Sequence, residues 1–330
     1  MPDSPKTETA ADPVMVKAVL AGDFRAVARL ISWVEDGVPD ADHYLRELFH
    51  HTGHSFIVGI TGAAGSGKST LADCLSLYYR ADERKLGIVA VDPTSPYTGG
   101  AVLGDRIRMQ SRSLDPGTFV RSMATRGHLG GLARATSEVL LVLDAAGFDT
   151  VLVETVGVGQ DEVDIVRTAH VTVVLLVPGM GDDVQAMKAG IMEIGDVFVI
   201  NKADHPGVER IEAELHSHLH FSRRKDGWQP RVVKTVASEG RGIEECFQEI
   251  ESCREFLRSS GAYAERAAAI QRERLLEMAR SRVLEAILGN ESHVDKLDEL
   301  ARRVAAREID PYSAAEHLLR DAGIHVPRQE

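Results

Sequence analysis

The sequence predicts an α/β fold with a mostly parallel sheet. Three observations carry that prediction. From about residue 55 to 252, short β-rich runs alternate with stretches of helical spacing. Several of these runs are apolar throughout instead of alternating, which suits strands covered on both faces by crossover helices. The chemically specific polar signals come directly after the runs, and ligands of such sheets sit beyond the carboxyl ends of the strands.

Taken in order, residues 1–12 are polar and read as a disordered tail. Residues 13–54 read as N-terminal helices, with Val16, Val19, Leu20, Val27, Leu30 and Ile31 at helical spacing. The central region, 55–257, carries the predicted strands FIVGI (56–60), LGIVAV (86–91), TVLVE (150–154), VTVVLLV (171–177), DVFVI (196–200) and RVVKTV (231–236). Between Gly99 and Arg134 the chain is rich in Gly, Arg, Ser and Asp, and its stretches TGGAVLGDRIRM and MATRGHLGGLARAT read as loops that could reorder around a γ-phosphate. Residues 258–330 are rich in Ala, Arg, Glu and Leu and show no strand signal. There AERAAAIQRERLLEMARSRVLEAIL has apolar residues at three- and four-residue steps, Asp310-Pro311 interrupts, and SAAEHLLRDAG resumes a helix. Two readings stay open for this region: a helical cap on the sheet, or an arm that pairs two subunits.

The 330 residues are 44% hydrophobic and 27% charged, an ordinary globular balance. A formal net charge of −12 argues against nucleic acid as the main partner, because a phosphate backbone is bound by clustered Lys and Arg. Cys74, Cys246 and Cys253 form no CxxC pair and are odd in number, so no disulfide framework is expected. The N-terminus has no apolar signal segment, and the longest apolar run is too short to span a bilayer. The expectation is a cytoplasmic protein without membrane association.

The strongest motif is GAAGSGKST, comprising Gly62, Ala63, Ala64, Gly65, Ser66, Gly67, Lys68, Ser69 and Thr70. It matches G-x-x-x-x-G-K-[ST] between a strand and a helix, the context a phosphate loop requires. Its glycines let backbone N–H groups wrap phosphate oxygens, and the following helix N-terminus adds a favourable dipole. Lys68 is placed to reach the β- and γ-phosphates, and the Ser69 hydroxyl to ligate Mg²⁺. The second motif, NKAD, follows DVFVI. The Asp204 carboxylate suits the guanine N1–H and 2-amino donors, which adenine lacks as a pair, so GTP/GDP is expected over ATP. Asn201 fits a structural or base-facing role, and the Lys202 stem can cover the base plane. Third, Asp92 and Glu154 end strands, where a carboxylate holds Mg²⁺ directly or through water. Glu154-Thr155-Val156-Gly157 stands where D-x-x-G is the more familiar pattern, with the Gly157 N–H offered to the γ-phosphate. Lys68, Asp92, Glu154 and Gly157 are therefore the catalytic candidates. Asp105 is a further carboxylate for the metal, and Arg106, Arg108 and Arg126 are candidates for phosphate charge. Gln160 and Asp161 are candidates for the attacking water only by proximity to Gly157. HSHLH, with His216, His218 and His220, offers metal ligands only if extended; its surroundings read as helix.

GITGAAGSGKST, VAVDPTSPYTGGAVLGDRIRM, TRGHLGGLARAT, VETVGVGQDE, GMGDDVQAMKAGI and NKAD, in this order, resemble the MeaB/ArgK family over roughly residues 13–325. Its members are G-protein chaperones of adenosylcobalamin-dependent acyl-CoA mutases. The resemblance implies a P-loop NTPase fold of G-domain type, N-terminal helices and a C-terminal helical dimerisation arm at 258–330, hence a homodimer. It implies a GTPase that gates cofactor loading and protection of a methylmalonyl-CoA mutase-like partner. It makes Ser69, Asp92, Asp105 and Glu154 the Mg²⁺-region residues, 179–190 a switch carrying Asp182, Gln185 and Lys188, and Ala237 and Ser238 the base-edge loop. VASEGRG departs from the family pattern by one residue there. The alternatives are a nickel-insertion GTPase, which would need Cys or His ligands, and a nucleotide-dependent kinase, against which NKAD argues.

Overall fold

The structure is a computed structural model that describes residues 11–81, 83–92, 115–124, 131–155, 168–179, 191–221, 224, 226–289 and 291–324. Its centre is a seven-stranded sheet in the order β3-β2-β4-β1-β5-β6-β7, with every neighbouring pair parallel. The strands are β1 (Phe56–Gly62), β2 (Leu86–Asp92), β3 (Thr118–Ala124), β4 (Thr150–Thr155), β5 (Val171–Leu176), β6 (Val197–Ile200) and β7 (Arg231–Lys234). β4, β5 and β6 are buried at every position, which is why their sequences are mostly apolar and do not alternate. The chain enters β1 between β4 and β5, so the segment leaving β1 lies at the middle of the carboxyl edge.

The predicted strands are all present. The loop reading of MATRGHLGGLARAT is corrected at both its ends, which belong to β3 and to a helix starting at Gly131, and β3 itself is a strand the sequence did not predict. β3 is an edge strand, and its polar Arg121 is held from another element. The Arg121 guanidinium donates to Ser32 Oγ at 3.0 Å and to both carboxylate oxygens of buried Glu35. Those partners lie on α2 (Phe24–Glu35), one of three N-terminal helices with α1 (Pro13–Leu20) and α3 (Ala41–Phe49). α1 and α2 begin where Asp12 and Asp23 accept backbone N–H groups of their first turns. The three helices pack on α5 (Gly131–Ala145) and the β3 side of the sheet, around Phe24, Phe119 and Phe148. The opposite face is covered by α4 (Lys68–Ala81) and α8 (Ile243–Ser260). α6 (Ile191–Ile194) precedes β6, and α7 (Val208–Phe221) covers β5 and β6.

Beyond α8 follow α9 (Ala262–Leu288), α10 (Glu291–Ala305) and α11 (Pro311–Asp321). Asp310 caps α11 and Pro311 occupies its first turn, so the Asp-Pro pair starts this helix. The root of α9 is clamped to the amino edge of the sheet. Arg266 donates to the His170 carbonyl at 2.5 Å, to both oxygens of Asp196 at 3.0 and 3.1 Å, and to Asp226 at 2.8 Å. Arg224 closes the cluster on the same two aspartates, and Asp196 also accepts the Thr172 N–H at 2.8 Å. His170 lies between the rings of Phe56 and Tyr263, and its Nδ1 accepts the Ile57 N–H at 2.9 Å.

Candidate nucleotide site

Gly62 is the last residue of β1 and Lys68 the first of α4, so the loop between them spans the strand-to-helix turn. Two glycines there have physical necessity. A Cβ on Gly62, at φ +144°, would meet the Leu175 carbonyl oxygen at 2.4 Å, and one on Gly67, at φ +97°, would meet Asn201 Nδ2 at 2.4 Å. Lys68 is buried, and its ammonium donates to the carbonyls of Gly62 at 2.6 Å and Ala63 at 2.9 Å. The side chain thus curls back over the loop it follows, with its charge at the loop's centre. Ala64 and Gly65 are exposed at the loop tip. Ser66 is buried, and its hydroxyl has no hydrogen-bond partner. Ser69 and Thr70 are half-buried in the first turn of α4.

Glu154 and Thr155 end β4 beside β1, and both are buried. Ser69 Oγ donates to Glu154 Oε1 at 2.5 Å, so the structure brings together two of the expected metal-region oxygens. The buried hydroxyls of Thr155 and Thr61 meet at 3.3 Å and tie the two strand ends. Asp92 is the last residue of β2, at the same edge. Gly157, Asp105, Asp182, Gln185 and Lys188 lie outside the described residues, as do Arg106, Arg108, Arg126, Gln160 and Asp161.

Asn201, directly after β6, is the centre of the arrangement. Its Nδ2 donates to the Ser66 carbonyl of the phosphate loop at 2.8 Å. Its Oδ1 accepts Thr235 Oγ at 3.0 Å and the Ala237 N–H at 3.1 Å, both from the segment after β7. Of the two roles open to Asn201 in the sequence, the geometry favours the structural one, because the amide's oxygen and nitrogen are both engaged by protein groups. Lys202 adopts φ +55° and its ammonium donates to the Gly65 carbonyl at 3.1 Å, so its stem bridges the two loops. Asp204 leaves its carboxylate 42% exposed. Ala237 is buried and opens a single helical turn, Ala237–Glu239, while Ser238 is exposed. Cys74 Sγ of α4 lies 3.3 Å from the Ala237 carbonyl, a further tie between loop and helix. Thr235 escaped the sequence reading; its only signal there is its place at the end of a predicted strand. His216 and His218 lie on α7 and are exposed, and no group of three His, Cys, Asp or Glu suited to a metal occurs among the described residues.

A Gly-rich strand-to-helix loop after β1 and the NKAD loop after β6, braced against each other through one buried asparagine, agree with the class that comparison with known proteins shows: the protein is a P-loop GTPase. The particular family follows from sequence. The model described as Methylmalonyl Co-A mutase-associated GTPase MeaB matches residues 27–292, and the chain belongs to that family. It is 49% identical to a Pyrococcus abyssi protein described as a GTPase, over 93% of this chain and 95% of that protein. It is 35% identical to the GTPase ArgK of Escherichia coli, over 83% of this chain and 84% of that protein. With the mouse mitochondrial methylmalonic aciduria type A homolog the identity is 34%, over 81% of this chain and 65% of that protein. A crystal structure titled LAO/AO transport system kinase superposes with a TM-score of 0.70 at 26% identity, covering 98% of this chain and 100% of the other. No helix among the described residues is long and apolar enough to cross a membrane.

Proposed function

We propose that this GTPase is a chaperone of an adenosylcobalamin-dependent acyl-CoA mutase, and that GTP binding and hydrolysis gate cofactor loading and protection of that partner. The family's description as mutase-associated carries the reading. The site supports its nucleotide half. The Lys68 ammonium and the unpartnered Ser66 hydroxyl offer donors to phosphate oxygens. The exposed Asp204 carboxylate is free of strong ion pairing, with His205 Nε2 3.9 Å away, and suits the two donors on the guanine edge.

The Ser69 hydroxyl and Glu154 carboxylate, 2.5 Å apart, are hard oxygen donors of the kind Mg²⁺ prefers, and with Asp92 and Asp105 they form the proposed metal set. Bound there, Mg²⁺ would neutralise charge on the phosphate oxygens. The protein's own contribution is to hold Ser69 and Glu154 in register through the β1–β4 pairing, and to keep Lys68 over the loop. Backbone donation to the γ-phosphate is assigned to the Gly157 N–H, and the base edge to Ala237 and Ser238. The chain is proposed to act as a cytoplasmic homodimer through 258–330, with 1–12 a tail, 13–54 a helical layer and 55–257 the GTPase domain.

The test is GTP turnover with and without a methylmalonyl-CoA mutase. The mutase is expected to raise the rate, and Lys188→Ala, in the proposed switch with Asp182 and Gln185, to lose most of that gain while still binding GTP. A mutase without effect on wild-type turnover would refute the partner; a full response from Lys188→Ala would refute the switch role of that residue.

A further inference from the structure

Helix α9 carries its polarity the wrong way round for a docked surface helix. Leu275, Leu276, Met278, Val283 and Leu284 are exposed, Leu275 at 67%. Arg274, Ser281 and Glu285, at steps of seven and four, share one face by helical geometry. Glu285 and Ser281 mark that face as the one turned to the body of the protein. Ser281 is completely buried, and its hydroxyl has no hydrogen-bond partner. The distal half of α9 is therefore docked by charge and not by apolar burial, and it leaves a buried polar atom unmatched in doing so.

The docking contacts meet on α5 and α3. Arg134, in the first turn of α5, donates to Glu138 Oε1 at 2.8 Å and to Glu285 Oε1 of α9 at 2.9 Å. Its guanidinium also stands 3.7 Å from Asp42 of α3. Arg282 of α9 donates to Glu285 Oε2 at 3.1 Å and to Asp42. Burial raises the Glu138 carboxyl and lowers Arg274, and each feels the other's charge. α3 is anchored in the apolar core through Tyr44, Leu45 and Leu48, so Asp42 is a fixed point. Arg134 is placed differently. α5 follows β3, whose carboxyl end lies at the same edge of the parallel sheet as the phosphate loop and Glu154.

We propose that this junction is an electrostatic latch, in which the state of the nucleotide edge, passed through Arg134, sets how tightly the distal half of α9 closes on α5 and α3. Its ion pairs are partly exposed and therefore weak and screened by salt, which suits a contact that must open. The two nucleotide states then present the apolar outer side of α9 in different positions, which is the differential contact a switch needs. The proposal rests on the guanine-nucleotide reading above.

The test is amide hydrogen exchange across residues 274–288 in the full chain, with GDP and with a non-hydrolysable GTP analogue, after calorimetry with the same nucleotides. Wild type is expected to exchange at rates at least about threefold apart in the two states. Arg134→Gln and Glu285→Gln should both bring the two states together at the faster rate, with nucleotide affinity within about twofold of wild type. Salt at about 0.5 M should do the same to wild type. Equal exchange in the two wild-type states overturns the latch, and so does a difference that survives in Glu285→Gln, which keeps side-chain shape and lies on the arm. Failure of wild type to bind guanine nucleotide overturns the underlying reading instead, and calorimetry reports that separately.

Discussion

Acidification should release a defined amount of stability through one histidine. His170 is 8% exposed, and burial, reinforced by the charges of Arg266, Arg254 and Arg258, lowers its pKa from 6.5 to about 4, with Asp144 opposing. Its Nδ1 accepts the Ile57 N–H, a bond that protonation at that nitrogen would destroy. The unfolded chain takes up the proton near pH 6.5 and the folded chain only near 4, so the folded state binds fewer protons in between. The contribution is therefore complete above pH 6.5 and is lost as pH falls towards 4. At about 1.4 kcal/mol per pKa unit, the interval amounts to about 3 kcal/mol. His170→Asn supplies an oxygen acceptor for Ile57 and does not titrate. It should cost about 1–3 kcal/mol at pH 7, from ring contacts with Phe56 and Tyr263. Urea unfolding of both proteins from pH 7.5 to 4 measures the gap between them, in which the shared carboxylates cancel. That gap should shrink, and then reverse, by about 3 kcal/mol in total as pH falls. A gap that stays constant across the window would refute the reasoning.

Three further outcomes follow from the nucleotide edge. Asn201→Ala strands the Ser66 carbonyl, the Thr235 hydroxyl and the Ala237 N–H, each worth about 1–3 kcal/mol when buried without a partner; GTP affinity by calorimetry should drop at least about 100-fold, and unchanged affinity would show that the brace does not serve binding. Gly67→Ala forces a methyl to 2.4 Å from Asn201 Nδ2 in a left-handed backbone, so nucleotide-dependent thermal stabilisation should vanish; an undiminished shift in Tm would count against the close approach. Asp204→Asn exchanges an acceptor for a donor at the base edge and should weaken GTP while favouring xanthosine triphosphate, and equal preference in mutant and wild type would dismiss the guanine assignment.

The parts of the fold legible in the sequence are those whose cause is local. β4, β5 and β6 are buried at every position because both their faces are covered, and runs that are mostly apolar without alternation signal that without knowledge of any partner. The phosphate loop is legible because glycines and Lys68 act on the turn that contains them. β3 is not, because its Arg121 is accommodated by Glu35, 86 residues earlier in the chain, and TFVRSMA alone looks too polar for a strand. The Asn201 brace joins positions 135 residues apart, and no spacing encodes it. The same holds for the clamp on α9: Arg266 sits in an Ala- and Glu-rich helix among many arginines, and only the fold selects it to meet Asp196 and Asp226.

The two edges of the sheet are held by different chemistry, and the difference bears on how α9 moves. At the amino edge, Arg224 and Arg266 share Asp196 and Asp226, and Asp196 is 1% exposed. Removing any one charge there would leave two like charges sharing a single partner, an uncompensated charge in a largely buried cluster, so its four members are energetically coupled. The Thr172 N–H donates to the Asp196 carboxylate and the Trp228 backbone N–H to the Asp226 carboxylate, which orients both acceptors and with them the Arg266 side chain at the first turns of α9. The far half of the same helix has only partly exposed ion pairs around Arg282 and Glu285. A rod fixed at one end by a buried directional cluster, and held at the other by screened charges, cannot slide or rotate about its own axis at low cost. The motion left to it is a swing about the root. Because the root is bonded to the starts of β5 and β6, and the ends of those strands lead to Gly179 and Asn201, the pivot is referenced to the nucleotide edge through two fully buried strands.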